Sequence, residues 1–484
     1  MTSPVADVAG DLALRISGAD TNPAWFLKWA EMTDWVPDLT PISGPRYVAF
    51  VLALEADITA GRVQPGMRLL PHRDMAQRLG LSVGTVSKAC AEAERRGLIS
   101  GEIGRGTFVL RRRPEQRTTA GTTVNLAFNV PPDTGASDLI AAVIGEIATT
   151  GGMPNLLGHL PHQGLRRHRE AVAYWLASLG VNADAEQVFI THGGRHALSL
   201  ALDTITEPGD TVLTENLTSA GMLALSVQKS YRLQSVTSDA EGLLPGSLDL
   251  AFSETGARIV YCLPTLQVST GATMSPARRQ AIAAVICKHG AYLVEDDTYA
   301  YLMVPPLPPV SALVPERSFY VTNFAKCLAP GLWVAAMIAP DSLLDRTISA
   351  AQKTGSIAVP LMAEVVARLI INGGMARQAR LKRGKAASRN AAARRVLRDW
   401  LPHGPATGFH IWLPLPATCS LDALVTQAAQ AGITLAPSVS PHDNKTEDSG
   451  IRLCLGAPKT EEDLERALLK IRRILEMAET TSFI

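Results

Sequence analysis

The sequence has little of what marks an exported, oxidised or membrane-embedded chain. Its six cysteines, Cys90, Cys262, Cys287, Cys327, Cys419 and Cys454, are scattered over 484 residues without CxxC spacing. That pattern excludes a disulfide framework or a zinc site and reads as reduced, packed thiols, with no metal expected. No apolar run reaches the roughly 18 residues of a membrane span, so no membrane partner is expected. The N-terminus lacks a basic flank with a cleavage-type apolar run, so no signal peptide is read and the expected location is cytoplasmic. Net charge is also small, at +1. It is unevenly spread, however: residues 41–113 hold 12 Lys/Arg against 6 Asp/Glu, a net of +6, which leaves −5 for the rest. A basic module on an acidic body suits a nucleic-acid-binding head. What the chain does have is length and apolar content. At 484 residues and 46% apolar it can bury large cores in two or three domains.

Residues 1–40 show no periodicity beyond the cluster at Ala24 to Trp29, and they are read as an N-terminal extension. Met32 opens MTDWVPDL, which looks like a natural start, so Met1 and Met32 both stand as start codons. From Gly44 the pattern sharpens. Tyr47, Phe50, Val51, Leu54 and Ile58 repeat at helical spacing after Ser43-Gly44-Pro45, and a second short helix is expected over His72 to Leu79, stopped by Gly80. Ser82 is a good N-cap for a third helix running to Arg96. Leu98 to Ser100, a Gly104-Arg105-Gly106 tip and Thr107 to Leu110 then read as a two-stranded wing. Residues 41–110 are therefore expected to form a winged helix-turn-helix that binds double-stranded DNA. Its third helix would present Ser82, Thr85, Ser87 and Lys88 to the major groove. Arg73 would reach the phosphate backbone, and the wing, with Arg105, Gly106 and Thr107, would reach the minor groove. Residues 111–124 follow as a polar linker.

From residue 125 to 484, helices and short apolar strands alternate, the signature of an α/β domain around a mostly parallel sheet. Ligands in such sheets collect at the carboxyl ends of strands. Three ends stand out. Val188 to Thr191 leads into His192-Gly193-Gly194-Arg195, where glycines permit a phosphate on a helix N-terminus, although a plain strand-to-helix turn accounts for them too. Ala291 to Val294 ends in Glu295-Asp296-Asp297-Thr298-Tyr299. Its carboxylate could hold a pyridine nitrogen protonated and its tyrosine bind a ring oxygen, and a metal site or solvated turn is the competing reading. Phe319 to Thr322 runs to Lys326, the residue around which the body is organised. A lysine among apolar residues has a lowered pKa and a free amine for Schiff-base chemistry, while a solvated loop lysine is the bland alternative.

PHRDMAQRLGLSVGTVSKACAEAERRGLISGEIGRGTFV resembles the DNA-binding head of GntR-type bacterial repressors, with Val83 and Gly84 where some relatives carry polar or basic groups. Gly193-Gly194, Asp296-x-x-Tyr299 and Lys326, in that order, resemble a fold-type I aminotransferase. Together with HQGLRRHREAVAYWL, YCLPTLQVSTGATMSPARR and GIRLCLGAP, the chain from about Met32 resembles a MocR-type GntR regulator. The resemblance implies a homodimer and pyridoxal phosphate held as a Schiff base by Lys326. Asp296 would meet the pyridine nitrogen, Tyr299 the ring hydroxyl, and Arg452 the carboxylate of an amino-acid-like effector. Gly193 and Gly194 would cradle the phosphate, and the Arg195 guanidinium could point into the same cup to compensate for donors missing elsewhere. Departures weaken the expected affinity. Val268 replaces the ring-oxygen asparagine, Ala325 the serine before the lysine, Trp333 the phosphate-binding arginine and Ser219 the stacking tyrosine, while His159 stands for a second tyrosine. Three readings follow: a regulator that senses pyridoxal phosphate or an amino compound, with no assigned catalytic residue; a regulator whose body has lost the cofactor and serves as a dimerisation scaffold or takes another ligand; and a working aminotransferase with a DNA-binding head.

Overall fold

A computed structural model describes residues 35–40, 45–59, 62–63, 67–95, 98–102, 106–109, 123–150, 152–401, 407–436 and 450–481. Ala24 to Trp29, Met32, Arg105 and most of the linker lie outside them. The chain divides into two compact units, residues 1–119 and 120–484.

In the first unit, α1 (Arg46–Thr59), α2 (His72–Leu79) and α3 (Val83–Arg95) precede a hairpin of β1 (Ile99–Glu102) and β2 (Gly106–Val109). Gly80 ends α2 in the left-handed region at φ 63°, where glycine escapes the Cβ clash. Ser82 caps α3 through its hydroxyl, which accepts the Thr85 amide at 3.1 Å. Phe50, Leu54, Leu70, Met75, Val86, Leu98 and Val109 fill the core. Part of the stretch read as an extension contributes here: Leu39 is buried, Trp35 packs edge-on against Phe50 at 6.0 Å, and its indole donates to Asp57 at 2.6 Å.

The second unit opens with β3 (Val124–Asn125), α4 (Ala136–Thr149) and α5 (Arg166–Ala177). Next come β4 (Val188–His192), α6 (Gly193–Ile205), β5 (Thr211–Glu215), α7 (Ala220–Lys229) and β6 (Arg232–Val236), followed by the small hairpin β7 (Ser238–Asp239) and β8 (Gly242–Leu243). The chain continues through α8 (Pro245–Thr255), β9 (Ile259–Cys262), α9 (Pro276–His289), β10 (Tyr292–Asp296), β11 (Ser318–Asn323) and β12 (Val334–Ile338). It ends with α10 (Leu344–Thr354), α11 (Pro360–Ile371), α12 (Gly374–Val396), β13 (His410–Pro414), α13 (Leu421–Gln430), β14 (Ile433–Thr434), β15 (Gly450–Cys454) and α14 (Glu461–Thr481). Seven strands form one sheet in the order β4-β12-β11-β10-β9-β5-β6, parallel except for β12, which opposes both neighbours. The runs IVYC and SFYVTN are near-continuously buried, as expected of central strands covered on both faces.

A smaller lobe pairs β13 with β15 antiparallel and packs them on α12, α13 and α14 around Leu413, Leu424, Ile451, Leu453 and Leu468. β3 joins this lobe by parallel pairing with β14, so Val124, assigned to the linker from sequence, is already part of the body. The mutually parallel strands β4, β10 and β11 finish at the same end of the sheet, which brings Gly193, Asp296 and, three residues beyond β11, Lys326 to that end.

Candidate functional site

Lys326 follows β11, and its side chain is largely buried. Burial, reinforced by the charges of Arg452 and Lys382 and opposed by Cys454, lowers its ammonium pKa to about 8. Its Nζ donates to the main-chain oxygen of Asn129, 197 residues earlier in the chain. The same asparagine uses its side-chain amide to donate to the Tyr299 hydroxyl at 2.7 Å and to His410 Nδ1 at 3.1 Å. His410 Nε2 in turn donates to the carbonyl of Gln267 at 2.9 Å, and burial pushes its pKa down to about 4, so the ring is neutral. Tyr299 is buried beside His410, with ring centroids 5.4 Å apart, and burial raises its hydroxyl pKa above the usual range. Since the Tyr299 oxygen accepts from Asn129, its own proton points elsewhere and is free for a ligand oxygen.

Asp296 ends β10. Its Oδ2 accepts from Tyr261 at 3.0 Å and its Oδ1 from Thr298 at 3.1 Å. Burial raises its pKa, with those two donors acting in the opposite direction. The neighbouring Asp297 faces away from this role, with its main-chain N–H on Val321 and its side chain near Thr265. Among the described residues no group of His, Cys, Asp and Glu could hold a metal ion.

The departures from the expected pattern have specific places. Ser219 caps α7 by accepting the Met222 amide at 3.1 Å and lies 3.0 Å from the Tyr261 hydroxyl. Trp333 is 59% exposed at φ 51° and stacks on His192, with centroids 5.4 Å apart and planes at 12°. A Cβ on Gly193, at φ 75°, would stand 3.2 Å from the Trp333 ring, so the glycine accommodates both the turn and the indole. Asn323 turns its Oδ1 to the Ala325 amide at 2.7 Å, and its Nδ2 lies 3.2 Å from where a Cβ on Gly194 would be. Arg195 is exposed on the first turn of α6, and His159 is also exposed. Arg452 spans the other side of the site, with Nη1 on the carbonyl of Val268 at 2.9 Å and Nη2 on that of Ala127 at 3.3 Å. Its Nε is buried without a hydrogen-bond partner, as is Oδ1 of Asn129. A separate cavity of about 470 Å³ lies behind the His410–Gln267 wall, lined by Glu215, Thr270, Asn390 and Trp412, and touches none of Lys326, Asp296, Tyr299 or Arg452.

In the head, Arg73, Ser82 and Lys88 are exposed and Thr85, Gly106 and Thr107 half-buried. Ser87 bonds His72 Nδ1 at 3.1 Å, and the Lys88 ammonium lies 4.2 Å from the centre of the Tyr47 ring. Gly106, at φ 121°, overlies Arg68, whose Nε is 2.5 Å from a Cβ placed there. Sequence reasoning missed Asn129, Tyr261 and His410. Each is a single polar residue whose partners are distant in the chain, so no local spacing announces it.

A winged helix-turn-helix followed by a fold-type I aminotransferase-like domain defines the class. The family "Bacterial regulatory proteins, gntR family" matches residues 47–109, and "Aminotransferase class I and II" matches residues 122–471. The chain belongs to the MocR-like group of GntR regulators, which fuse these two parts, and it is a DNA-binding transcription regulator. It is 26% identical over 458 residues to the HTH-type transcriptional regulator YdeF of Bacillus subtilis (strain 168), covering 91% of this chain and 97% of that one. It is also 28% identical over 309 residues to the 2-aminoadipate transaminase of Thermus thermophilus, covering 61% of this chain and 76% of that one. Among solved structures, LysN, the alpha-aminoadipate aminotransferase of Thermus thermophilus, is similar with a TM-score of 0.66 at 23% identity. That match covers 74% of this chain and 93% of LysN, whose structure holds N-(5'-phosphopyridoxyl)-L-leucine. An archaeal alanine:glyoxylate aminotransferase is similar with a TM-score of 0.68 at 20% identity, covering 81% of this chain and 95% of that one. No helix among the described residues is long and apolar enough to cross a membrane.

Proposed function

We propose that the body binds pyridoxal phosphate, alone or joined to an amino compound, and that occupancy changes how a cytoplasmic homodimer presents its heads to a DNA operator. The observation that carries this reading is the buried Lys326 amine with its pKa lowered to about 8, joined through Asn129 to Tyr299. Pyridoxal phosphate supplies an aldehyde that captures a primary amine and a ring that withdraws electrons from it. Buried atoms without partners, Asn129 Oδ1 and Arg452 Nε, fit a site that takes a polar guest. Lys326 supplies the amine, Asp296 a carboxylate for the ring nitrogen, and Tyr299 a free proton for the ring oxygen. Gly193, Gly194 and Arg195 at the start of α6, with the Asn323 amide, supply donors for the phosphate. Arg452 offers a guanidinium to the carboxylate of an amino-acid-like effector.

In the head, Arg73, Ser82, Thr85, Ser87, Lys88, Gly106 and Thr107 are the proposed DNA contacts, and Arg105 belongs to the same wing tip in sequence. Phosphate contacts position the head, and the start of α3 reads bases.

The test is the visible absorption of the purified protein after adding pyridoxal phosphate, compared with Lys326→Ala. A lysine-dependent band supports the reading. No band at saturating cofactor leaves the second reading, a scaffold without cofactor, which the exposed Trp333 in place of a phosphate-binding arginine favours. Transamination of an amino acid above the Lys326→Ala background would make the body a working enzyme.

A further inference from the structure

Two of the residues that the proposed function assigns to the ligand, Lys326 and Arg452, are both held by one short segment. Lys326 Nζ donates to the carbonyl of Asn129, and Arg452 Nη2 donates to the carbonyl of Ala127, two residues earlier. The segment from Val124 to Val130 is the first part of the body after the linker. Its start is sewn to the small lobe: the Val124 amide bonds Gly432, the Leu126 amide bonds Thr434, and the Leu126 carbonyl accepts from Cys454. Its end approaches the lobe so closely that a Cβ on Gly456 would collide with the Val130 oxygen. Between these points the turn at Ala127 and Phe128 is closed by the Asn125 side chain, at 2.9 and 3.1 Å, while Asn129 depends on Lys326, Tyr299 and His410.

We propose that residues 124–130 are a ligand-displaced strap: Lys326 and Arg452 hold its Asn129 and Ala127 carbonyls until a ligand aldehyde and carboxylate take the same donors, which frees the strap beside the linker. The inference rests on the pyridoxal phosphate reading above. The neutral amine of Lys326 adds to the aldehyde carbon, a C=N bond replaces the C=O bond, and the oxygen leaves as water with the two amine protons. The nitrogen that donated to Asn129 then has no proton to give, unless the imine is protonated, and its one proton then belongs to the ring oxygen beside it. A carboxylate on Arg452 competes in the same way for the donor on Ala127. Loss of these bonds leaves the Asn129 carbonyl without its donor and the Ala127 carbonyl with only the weak Cys454 thiol donor at 3.4 Å, which favours a different strap position in the occupied protein. That difference between states is what a ligand needs to shift a population.

The test is amide hydrogen exchange across residues 126–130 in the full-length protein, without ligand, with pyridoxal phosphate, which addresses Lys326, and with pyridoxal phosphate plus succinate, whose carboxylate addresses Arg452, alongside the absorption band. In the wild type, exchange should rise about tenfold or more as the band forms. Lys326→Ala should exchange fast without ligand and ignore its addition. Lys326→Arg keeps a donor for Asn129 but cannot form the C=N bond, so its strap should stay protected with and without pyridoxal phosphate. A wild-type band with unchanged exchange overturns the strap while leaving cofactor binding intact. Unliganded Lys326→Ala protected as well as wild type also overturns it. Absence of the band overturns the cofactor reading and the strap together.

Discussion

The two ends of the candidate cofactor site are built differently. At the ring end, Lys326, Asp296 and Tyr299 sit at or just beyond the ends of central strands, are largely or fully buried, and have partners on the protein. At the phosphate end, Trp333 is 59% exposed, Arg195 is exposed, and Ser219 serves as a helix cap. Burial makes the first set hard to change, because a lone polar group left inside costs about 1–3 kcal/mol. Exposed positions carry no such penalty. On the proposed reading, capture of an aldehyde needs one shielded amine while the phosphate cup needs several charges, so the buried end would carry more of the binding than the exposed one.

If the ring end does hold the cofactor, Asp296→Ala should have the largest effect, weakening pyridoxal phosphate binding about a hundredfold or more. A charge-assisted hydrogen bond contributes about 1.5–3 kcal/mol, and the variant also strands the Tyr261 and Thr298 hydroxyls that donate to Asp296. A titration of the absorption band measures it, and wild-type affinity in the variant would move Asp296 out of the site.

The lysine provides a pH test of the same end. With its pKa lowered to about 8, the free amine falls roughly tenfold for each unit below that value and levels off above it. The initial rate of aldehyde capture should therefore climb from pH 6 to about 8 and then flatten. A rate still climbing at pH 9.5 would mean a solvated amine near the ordinary lysine value, and the contrast between buried and exposed ends would fail. At the other end, Trp333→Arg should tighten binding about tenfold by returning a guanidinium to the cup, at the loss of the His192 stack. No tightening would show that the cup is already served by Arg195 and Asn323.

How much of this was legible in the sequence varied with distance along the chain. The bounds of α2 and the capping role of Ser82 depend on neighbours within four residues, so local spacing gave them directly. Lys326 and Asp296-x-x-Tyr299 were readable because each follows an apolar strand. Asn129 was not, since its meaning lies in a bond to a lysine 197 residues away and in a main-chain oxygen, which the identity of a side chain does not encode. Val268 reads as a loss when only its side chain is considered, yet its carbonyl receives Arg452 at 2.9 Å. Likewise, the linker and extension were bounded by composition, while Val124 and Trp35 take part in packing that composition does not reveal.

The head offers the smallest effect and an independent control on the body. Arg73 is exposed near the start of α2, with no partner that would restrain it from a DNA phosphate among the hydrogen bonds of the described residues. A guanidinium placed on a phosphate releases condensed counterions, so each such contact adds about 0.9 to the slope of log affinity against log salt. Arg73→Ala should weaken operator and unrelated duplex binding alike by severalfold and flatten that slope by about one. A loss confined to the operator would make Arg73 a reader of bases, and an unchanged slope would remove it from the interface. Either result leaves the absorption band untouched, because Arg73 is not among the residues assigned to the cofactor. A band altered by Arg73→Ala would instead mean that the head and the cofactor site share a state, the coupling that displacement of residues 124–130 would provide.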